Sequence, residues 1–225
     1  MTSIPLFPDR EFAAFLFDMD GTVLSSIAAA ERVWGRWARR HGLDVEAFLP
    51  TMHGKRAVDT IRRLNLPGVD PLAEADWITR AEIEDVADVH AIEGAAAFLQ
   101  ALPPGRWTIV TSSPLPLARR RLEAAGLTAP QRMVTAEDIT RGKPAPDGFL
   151  LAAERLGVSA RECLVFEDAP AGIEAAEASG AAVAVVTTTH THPLDTPHPT
   201  LRSYAGLRVE PTAAGGLRIV AAGQA

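Results

Sequence analysis

The sequence predicts an α/β protein with a Rossmann-like parallel sheet as its core and an all-helical cap domain inserted after the first strand. From about residue 90 onward, short apolar runs alternate with stretches of helical periodicity, the pattern of a parallel sheet covered by helices. Residues 24–90, in contrast, contain helical patterns and no convincing strand. We therefore expect a core of residues 1–23 and 91–225 and a helical cap of residues 24–90.

The core elements are predicted from the positions of apolar runs and glycines. A glycine ends each predicted helix, because it readily adopts the left-handed conformation that terminates helices. These helices span residues 115–125, 147–156 and 171–179. The predicted strands lie at residues 15–17, 107–111, 132–135, 163–166 and 182–186. Two apolar stretches, at residues 207–210 and 217–220, flank a glycine-rich turn and predict a terminal hairpin.

The segment after the first strand has the apolar spacing of three helices. The first has Ser25 or Ser26 as a candidate N-cap and Gly42 at its end. Its apolar face consists of Ile27, Ala30, Val33, Trp34, Trp37 and Ala38. The second is marked by Ala57, Val58, Ile61 and Leu64, and the third spans residues 71–86. An all-helical segment at this place in an α/β domain is a candidate cap.

Composition excludes several classes of protein. The chain has 225 residues, 47% hydrophobic and 22% charged, as in ordinary soluble domains. Its net charge of −6 argues against binding to nucleic acid or an anionic membrane, since both require excess Lys and Arg. We expect no signal peptide and no membrane span, and the single cysteine, Cys163, suits a reducing compartment. We therefore expect a cytoplasmic protein, a monomer or a small homo-oligomer.

Two carboxylates follow the first predicted strand. Asp18 and Asp20 lie two residues apart and precede Gly21 and Thr22. They would lie at the carboxyl end of the strand, where open α/β sheets have their active sites. Adjacent anions repel, so either a cation neutralises them or one of them has a raised pKa and carries a proton. The alternative, from these residues alone, is a strand that runs into an aspartate-rich turn.

Three later segments also place polar groups beside predicted strands or turns. Residues 111–113 (Thr-Ser-Ser) offer hydroxyls and backbone N–H groups suited to phosphate oxygens, although one of them could instead cap a helix. Lys143 lies in a proline-rich turn and could neutralise a phosphoryl group or face solvent. Glu167 and Asp168 follow a strand, where they could bind a cation or complement a helix dipole.

Together these segments predict a phosphoryl-transfer site. Carboxylates from two strands provide the oxygen ligands that Mg²⁺ prefers. The hydroxyls and the lysine complete a site for a phosphoryl group. One aspartate is then left to attack phosphorus, and covalent catalysis through an aspartyl phosphate is a known solution.

The four segments resemble the motifs of the haloacid dehalogenase-like hydrolase superfamily. Residues 18–22 (Asp-Met-Asp-Gly-Thr), 111–112 (Thr-Ser), 143–144 (Lys-Pro) and 167–168 (Glu-Asp) occur in that family's order and spacing. The helical insert looks like the C1 cap of its subfamily I, and the resemblance covers essentially the whole chain. The segments most similar to bacterial sugar phosphatases, and more distantly to glycerol-phosphate and 2-deoxyglucose-6-phosphate phosphatases, are residues 53–56, 142–147 and 166–172.

The resemblance implies the catalytic and metal-binding roles. Asp18 would attack phosphorus, and Asp20 would protonate the leaving alcohol and later activate water. Asp18, the backbone carbonyl of Asp20 and Asp168 would bind Mg²⁺. Glu167 would lie behind these ligands or reach the metal through water.

The resemblance also implies how substrate is bound. Thr111, the N–H of Ser112 and Lys143 would bind the phosphoryl oxygens. The implied activity is Mg²⁺-dependent hydrolysis of small sugar or polyol phosphates through an aspartyl-phosphate intermediate. The partner would be a small phosphorylated metabolite, with no nucleic acid and no membrane.

Two polar loops leave alternatives open. His53, Lys55 and Arg56 are candidates to contact the leaving group, since a small helical cap presents a glycine-containing loop to the active site; alternatively, the charged pair faces water at a helix start. The stretch at residues 187–199, with three histidines and three prolines, is predicted to be a solvated loop, with metal binding as the alternative.

The nearest alternative function is that of a β-phosphoglucomutase, which has a histidine in its first cap helix that keeps water from the phospho-enzyme. The matching residues 28–31 (Ala-Ala-Ala-Glu) contain no histidine, and the mutase's cap arginine aligns best with Ala57, beside Arg56. Asp20 disfavours a dehalogenase, and the position of Lys55 disfavours a phosphonatase. A phospho-accepting signalling domain and an inactive binding protein are alternatives from other classes; the complete motif set disfavours both.

Overall fold

The structure, a computed structural model, describes residues 3–8 and 10–222. The strands are Ser3–Pro5 (β1), Ala14–Phe17 (β2), Leu24–Ser25 (β3), His90–Ala91 (β4), Trp107–Ile109 (β5), Cys163–Glu167 (β6), Ala182–Val186 (β7), Thr200–Leu201 (β8), Leu207–Pro211 (β9) and Leu217–Ala222 (β10). The helices are Ile27–Arg40 (α1), Val45–Phe48 (α2), Ala57–Leu64 (α3), Pro71–Glu84 (α4), Ala95–Ala101 (α5), Leu115–Ala124 (α6), Asp147–Leu156 (α7) and Pro170–Ser179 (α8). Short 3₁₀ turns lie at Leu49–Thr51, Ala136–Asp138 and Ala160–Glu162.

A parallel sheet in the order β5-β2-β6-β7-β8 forms the centre of the fold. Every residue of β2, β6 and β7 is buried, as expected for parallel strands with helices on both faces. The predicted Rossmann-like core is therefore confirmed. Because the carboxyl ends of parallel strands meet at one edge, the residues that follow β2, β5 and β6 come together there.

Alternate residues of β2 pack on opposite faces of the sheet. Phe17 stacks on Phe166 of β6, with ring centroids 4.6 Å apart, within an aromatic cluster on one face. Leu16 packs on the other face, in the cluster that contains Phe149 of α7. Burying one such large side chain contributes about 1.5–3 kcal/mol. This packing fixes the backbone of β2 on both sides and thereby the position of the aspartate that follows it.

Helices α1 to α4 share an apolar cluster of their own. It consists mainly of Val33, Trp34, Trp37, Phe48, Ile61 and Ile78, all buried. The two-residue strands β3 and β4 pair antiparallel where the chain enters and leaves this helical block, with Leu24 opposite Ala91. The prediction that residues 24–90 contain no strand is therefore wrong at both ends of this range. A two-residue strand is too short to show an alternation of polar and apolar residues.

Most predicted elements are confirmed, and one predicted strand of the core is wrong. Gly157 and Gly180 end their helices at positive φ, as predicted. Residues 132–135 do not form a strand; only Val134 makes an isolated bridge, to Val110. Ser26 occupies the N-cap position of α1, as predicted; its side chain makes no capping hydrogen bond, and its hydroxyl donates to Asp20.

The terminal hairpin is confirmed, and a third strand extends it. β9 and β10 pair antiparallel, and β1 pairs with the other edge of β10.

The stretch at residues 187–199 contains no strand or helix, as predicted. Within residues 3–8 and 10–222, every helix falls short of the length and apolar character that a membrane span needs.

Candidate active site

Lys143 lies between two carboxylates at the edge of the sheet. Its Nζ forms an ion pair with Asp18, directly after β2, and another with Glu167, the last residue of β6, at 2.7 Å. Asp18 is 5% exposed, Lys143 7% and Glu167 0%. The alternative that Lys143 faces solvent is therefore wrong. The turn that carries it brings a cation to the ends of two neighbouring strands.

Burial dominates the electrostatics of these groups. The pKa of Asp18 is raised to about 8: desolvation is the largest cause, Lys143 opposes the increase, and the charges of Glu167 and Asp20 add to it. The pKa of Asp168 is likewise raised well above its ordinary value, by burial and then by Glu167 and Asp18. Burial alone would lower the pKa of Lys143, but the carboxylates of Asp18 and Glu167 raise it. The site has more buried negative charge than its lysine compensates.

A divalent cation fits this charge imbalance. Oxygen atoms of Asp18, Glu167 and Asp168 lie within 4.8 Å of one another. Hard oxygen donors in this number suit Mg²⁺, which favours carboxylates and water. The sequence-predicted metal ligands Asp18 and Asp168 therefore converge, and the structure adds Glu167 to the same cluster.

Glu167 uses both of its oxygens on the protein. Its Oε2 accepts the backbone N–H groups of Asp168 at 2.7 Å and Ala169 at 2.9 Å, while Oε1 faces Lys143. Such bonds orient Glu167 and, through it, the lysine. The arrangement favours a supporting position behind Asp18 and Asp168, as the sequence suggested, rather than a carboxylate that only complements a helix dipole.

Gly21 explains why a glycine belongs in the first motif. Its φ is +91°, and a Cβ there would collide with the carboxylate of Asp168. The neighbouring Thr22 donates its hydroxyl to Asp168 Oδ1 at 3.0 Å. The turn after β2 thus admits the carboxylate that comes from β6 and orients it.

The loop after β5 brings three hydroxyls to the site. Thr111 Oγ1 accepts the N–H of Ser113 at 3.1 Å, which fixes the loop backbone. Ser112 donates its hydroxyl to the carbonyl of Gly54 at 3.0 Å. None of the three caps the following helix, since the N-cap residue of α6 is Pro114. The helix-cap alternative is therefore wrong, and these groups line a cavity with Asp18.

Asp20 faces the same cavity and accepts hydrogen bonds on both oxygens. Oδ1 accepts from the hydroxyl of Ser26 at 2.6 Å and from Nη1 of Arg121 at 3.0 Å. Oδ2 accepts from the hydroxyl of Ser113 at 3.2 Å. Asp20 is thus held apart from the three clustered carboxylates, with its own partners.

Sequence reasoning missed Arg121 and its second partner, Glu82. Nη2 of Arg121, on α6, lies 3.0 Å from Oε1 of Glu82, on α4, and both residues are buried. The sequence did contain a signal that both residues are buried, because residues four positions apart lie on the same face of a helix. Arg121 follows the buried Leu117 by four positions, and Glu82 follows the buried Ile78 by four. A charge in such a position requires a partner, which neither helix provides by itself.

The structure separates the three candidate residues of the cap loop. His53 lies 3.5 Å from Glu31, and burial lowers its pKa. Lys55 donates to the carbonyl of Thr51 at 3.3 Å. Both line the cavity that contains Asp18 and Asp20.

Arg56 does not line that cavity and bonds elsewhere. It donates to the carbonyls of Ile139 at 2.9 Å and Thr140 at 2.8 Å, and it pairs with Asp59 at 2.6 Å. Because its guanidinium is committed to these groups, it joins the helical block to a core loop. The structure thus departs from the prediction that Arg56 reaches the substrate.

The histidine-rich loop places its histidines apart. His190 Nε2 lies 2.8 Å from the backbone oxygen of Asp168, and His198 Nε2 lies 2.7 Å from Glu177. Among residues 3–8 and 10–222, the cluster of potential metal ligands comprises the carboxylates beside Lys143 and no histidine of this loop. The metal-binding alternative for the loop therefore receives no support.

Comparisons with known proteins agree with this geometry. A family model described as haloacid dehalogenase-like hydrolase matches residues 12–180. The chain is 44% identical over 187 residues to hexitol phosphatase A of Escherichia coli K12, covering 81% of this chain and 85% of that protein. It is 30% identical over 204 residues to glycerol-1-phosphate phosphohydrolase 1 of Saccharomyces cerevisiae, covering 84% and 79%. A crystal structure of a hydrolase from Pseudomonas syringae matches with a TM-score of 0.68 and 26% identity, over 79% and 85% of the chains.

Proposed function

The chain belongs to the haloacid dehalogenase-like hydrolase family, and we propose that it is a phosphatase acting on small sugar or polyol phosphates. The family model covers most of the chain, and the similar proteins from E. coli and yeast are named as hexitol and glycerol-phosphate phosphatases. One observation carries the proposal. Asp18 is buried against Lys143, beside Asp168, and faces a cavity that also contains Asp20. The proposed nucleophile and acid/base thus face one cavity, and Lys143 pairs with the nucleophile.

A metal ion is part of the proposed site. The carboxylates of Asp18 and Asp168 and the backbone carbonyl of Asp20 would bind Mg²⁺, with Glu167 supporting them. When bound, the cation would neutralise charge on the phosphoryl group and on the carboxylates. The buried excess of negative charge described above supports this proposal.

The proposed reaction proceeds in two steps. An oxygen of Asp18 attacks phosphorus while the bond from phosphorus to the leaving oxygen breaks, and Asp20 donates a proton to that oxygen. Asp20 then accepts a proton from the water that attacks the aspartyl phosphate, which releases inorganic phosphate and restores Asp18. Thr111 and Lys143 hold and neutralise the phosphoryl oxygens, the electrostatic contribution that dominates phosphoryl transfer.

We propose that residues 24–90 act as a cap over this site. The separate apolar cluster of α1 to α4 supports the division, as does the short β3–β4 ladder where the block begins and ends. The Ser112–Gly54 and Arg121–Glu82 contacts join the block to the core at the cavity. A closed cap would exclude water and surround the leaving group.

We further propose a cytoplasmic location, because the single cysteine is buried and unpaired, as suits a reducing compartment.

A substrate panel tests the proposed function. Hexitol, hexose, pentose and glycerol phosphates are incubated with the protein and Mg²⁺, and released inorganic phosphate is measured. We expect turnover of several of them and near-complete loss with Asp18→Asn, which keeps the size of the side chain but removes the attacking charge. Wild-type turnover by a correctly folded Asp18→Asn protein would overturn the mechanism. No release from any phosphate ester would overturn the function.

A further inference from the structure

Arg121, on α6, contacts the proposed acid/base Asp20 from a buried position. Its Nη1 donates to Oδ1 of Asp20 at 3.0 Å and to the hydroxyl oxygen of Ser113 at 3.2 Å. Ser113 in turn donates its hydroxyl to Oδ2 of Asp20 at 3.2 Å. One guanidinium nitrogen therefore supports both oxygens of Asp20, the first directly and the second through Ser113.

Glu82, on α4, fixes the direction of this guanidinium. Its Oε1 lies 3.0 Å from Nη2 of Arg121, and Glu82 is 7% exposed, Arg121 4%. A guanidinium is planar and its N–H groups point in fixed directions, so holding Nη2 at Glu82 orients Nη1 toward Asp20. The two buried charges also need each other, because neither has another way to offset its loss of hydration.

The hydrogen bonds are distributed unequally over the two oxygens of Asp20. Oδ1 accepts two, from Arg121 and from the hydroxyl of Ser26 at 2.6 Å, whereas Oδ2 accepts only the one from Ser113. Each carboxylate oxygen has two lone pairs, so Oδ1 is fully used and Oδ2 retains one. The side chain of Asp20 is 25% exposed and lines the cavity together with Asp18.

We infer that Arg121, oriented by Glu82, is a positioning residue for acid–base catalysis: with Ser26 it occupies Oδ1 of Asp20 and leaves Oδ2 to exchange the proton. This inference rests on the proposed function and deepens it. In the first step the proton on Oδ2 moves to the leaving oxygen as its bond to phosphorus breaks. In the second step Oδ2 takes a proton from the attacking water, which restores the acid.

Loss of Arg121 would free a lone pair on Oδ1 and remove the donor that fixes the carboxyl group. Asp20 would then rotate, or carry its proton on the oxygen that faces away from the leaving group. General acid catalysis requires the proton to lie within hydrogen-bond reach of the leaving oxygen, and it contributes about 10²–10⁴-fold to the rate. Part of this factor should therefore depend on Arg121.

Three esters that differ in the basicity of the leaving oxygen test the inference. p-Nitrophenolate is a stable anion that leaves without a proton, phenolate needs one more, and the alkoxide of glycerol 3-phosphate needs one most. The two aryl phosphates have nearly the same shape and no further hydroxyl, so their comparison is free of sugar recognition. The kcat/KM values are compared, because they exclude the later hydrolysis of the aspartyl phosphate.

The main variant replaces both members of the ion pair, Arg121→Met with Glu82→Leu. Replacing a buried pair by apolar residues of similar size is often neutral for stability, whereas removing one partner is not. We expect kcat/KM to fall least for p-nitrophenyl phosphate, at least about fivefold more for phenyl phosphate, and most for glycerol 3-phosphate. Arg119→Met, at an exposed position of the same helix, is the matched control and should keep all three wild-type values.

Each result decides between definite conclusions. Equal losses on the three esters, or unchanged values, would show that the pair only joins two helices. A loss confined to glycerol 3-phosphate would assign the pair to substrate recognition; either result overturns the inference and leaves the phosphatase assignment in place. If the double variant does not fold, Ser26→Ala, which removes the other donor to Oδ1, should give the same graded order. Absence of phosphate release by the wild type from all three esters and from the substrate panel overturns the proposed function, and the inference with it.

Discussion

The hydroxyl of Ser112 donates a hydrogen bond to the backbone carbonyl of Gly54 at 3.0 Å. Ser112 belongs to the loop that follows β5, and Gly54 belongs to the loop that precedes α3. Gly54 has a φ of +74°, and a Cβ there would approach that of Ala169 to 2.7 Å, so the cap loop contacts the core closely. The loop proposed to bind the phosphoryl group is thereby connected directly to the loop proposed to face the leaving group.

Removal of metal is expected to abolish activity. The carboxylates of Asp18, Glu167 and Asp168 converge with one lysine among them, so we expect excess chelator to stop phosphate release and Mg²⁺ to restore it. Asp168→Ala should raise the Mg²⁺ concentration needed for half-maximal rate by about tenfold or more, as loss of metal-site partners does.

Asp195→Ala serves as the control for Asp168→Ala, because Asp195 is exposed in the loop after β7. It should leave the Mg²⁺ requirement unchanged. Full activity in chelator would exclude the metal from the reaction. An unaltered requirement in Asp168→Ala would remove that residue from the ligand set.

The stability of the metal-free protein should decrease as pH rises. The pKa of Asp18 is raised from 3.8 to about 8, so between these values the folded state binds more protons than the unfolded state. The free energy of unfolding then falls with pH by up to about 1.4 kcal/mol per unit for this group, and Asp168 acts in the same direction. Thermal unfolding in chelator at pH 5, 6, 7 and 8 measures the slope.

Two comparisons check the cause of this slope. Asp18→Asn should give a shallower slope, because its side chain does not titrate. Mg²⁺ should stabilise the protein more at pH 8 than at pH 5, since metal binding requires deprotonated carboxylates. Equal slopes for the wild type and Asp18→Asn would show that other groups control the pH dependence.

Water, rather than a sugar hydroxyl, should capture the phospho-enzyme. The mutase histidine has no counterpart among residues 28–31, at the start of α1. Given β-glucose 1-phosphate, the protein should therefore release glucose and inorganic phosphate. Phosphorus NMR follows both products, and conversion to glucose 6-phosphate without inorganic phosphate would favour the mutase.

Lys55 and Arg56 should affect catalysis differently although they are adjacent. Lys55 lines the cavity, so Lys55→Ala should lower kcat/KM by about tenfold for sugar phosphates and less for p-nitrophenyl phosphate. Arg56 binds the carbonyls of Ile139 and Thr140, so Arg56→Ala should lower both by similar factors through looser attachment of the cap. Arg62→Ala, at a more exposed position of α3, is the control.

Steady-state kinetics with a sugar phosphate and with p-nitrophenyl phosphate distinguishes a loss of substrate recognition from a looser attachment of the cap. A selective loss in Arg56→Ala would return that residue to substrate recognition. Unchanged kinetics in Lys55→Ala would mean that its ammonium group only faces water at the rim of the cavity.

The sequence by itself determined the sheet, its helices and the phosphate-side motifs. β2, β6 and β7 are continuous apolar runs, and Gly157 and Gly180 mark helix ends, so local patterns were sufficient. Asp18, Lys143 and Asp168 belong to short motifs beside these elements, and the parallel topology brings strand ends to one edge. The convergence of Asp18 and Asp168 therefore followed from the strand pattern, whereas the burial of Lys143 against Asp18 was decided by the structure.

Only the tertiary structure decided the side of the site that faces the leaving group. Arg121 and Glu82 lie 39 positions apart, on different helices, and no local pattern pairs them. Arg56 is a charged residue of the kind that could bind substrate, yet its guanidinium donates hydrogen bonds to the carbonyls of a distant loop. Such side chains are assigned by long-range packing and by the need to satisfy buried charge, which depend on how the helical block lies against the core.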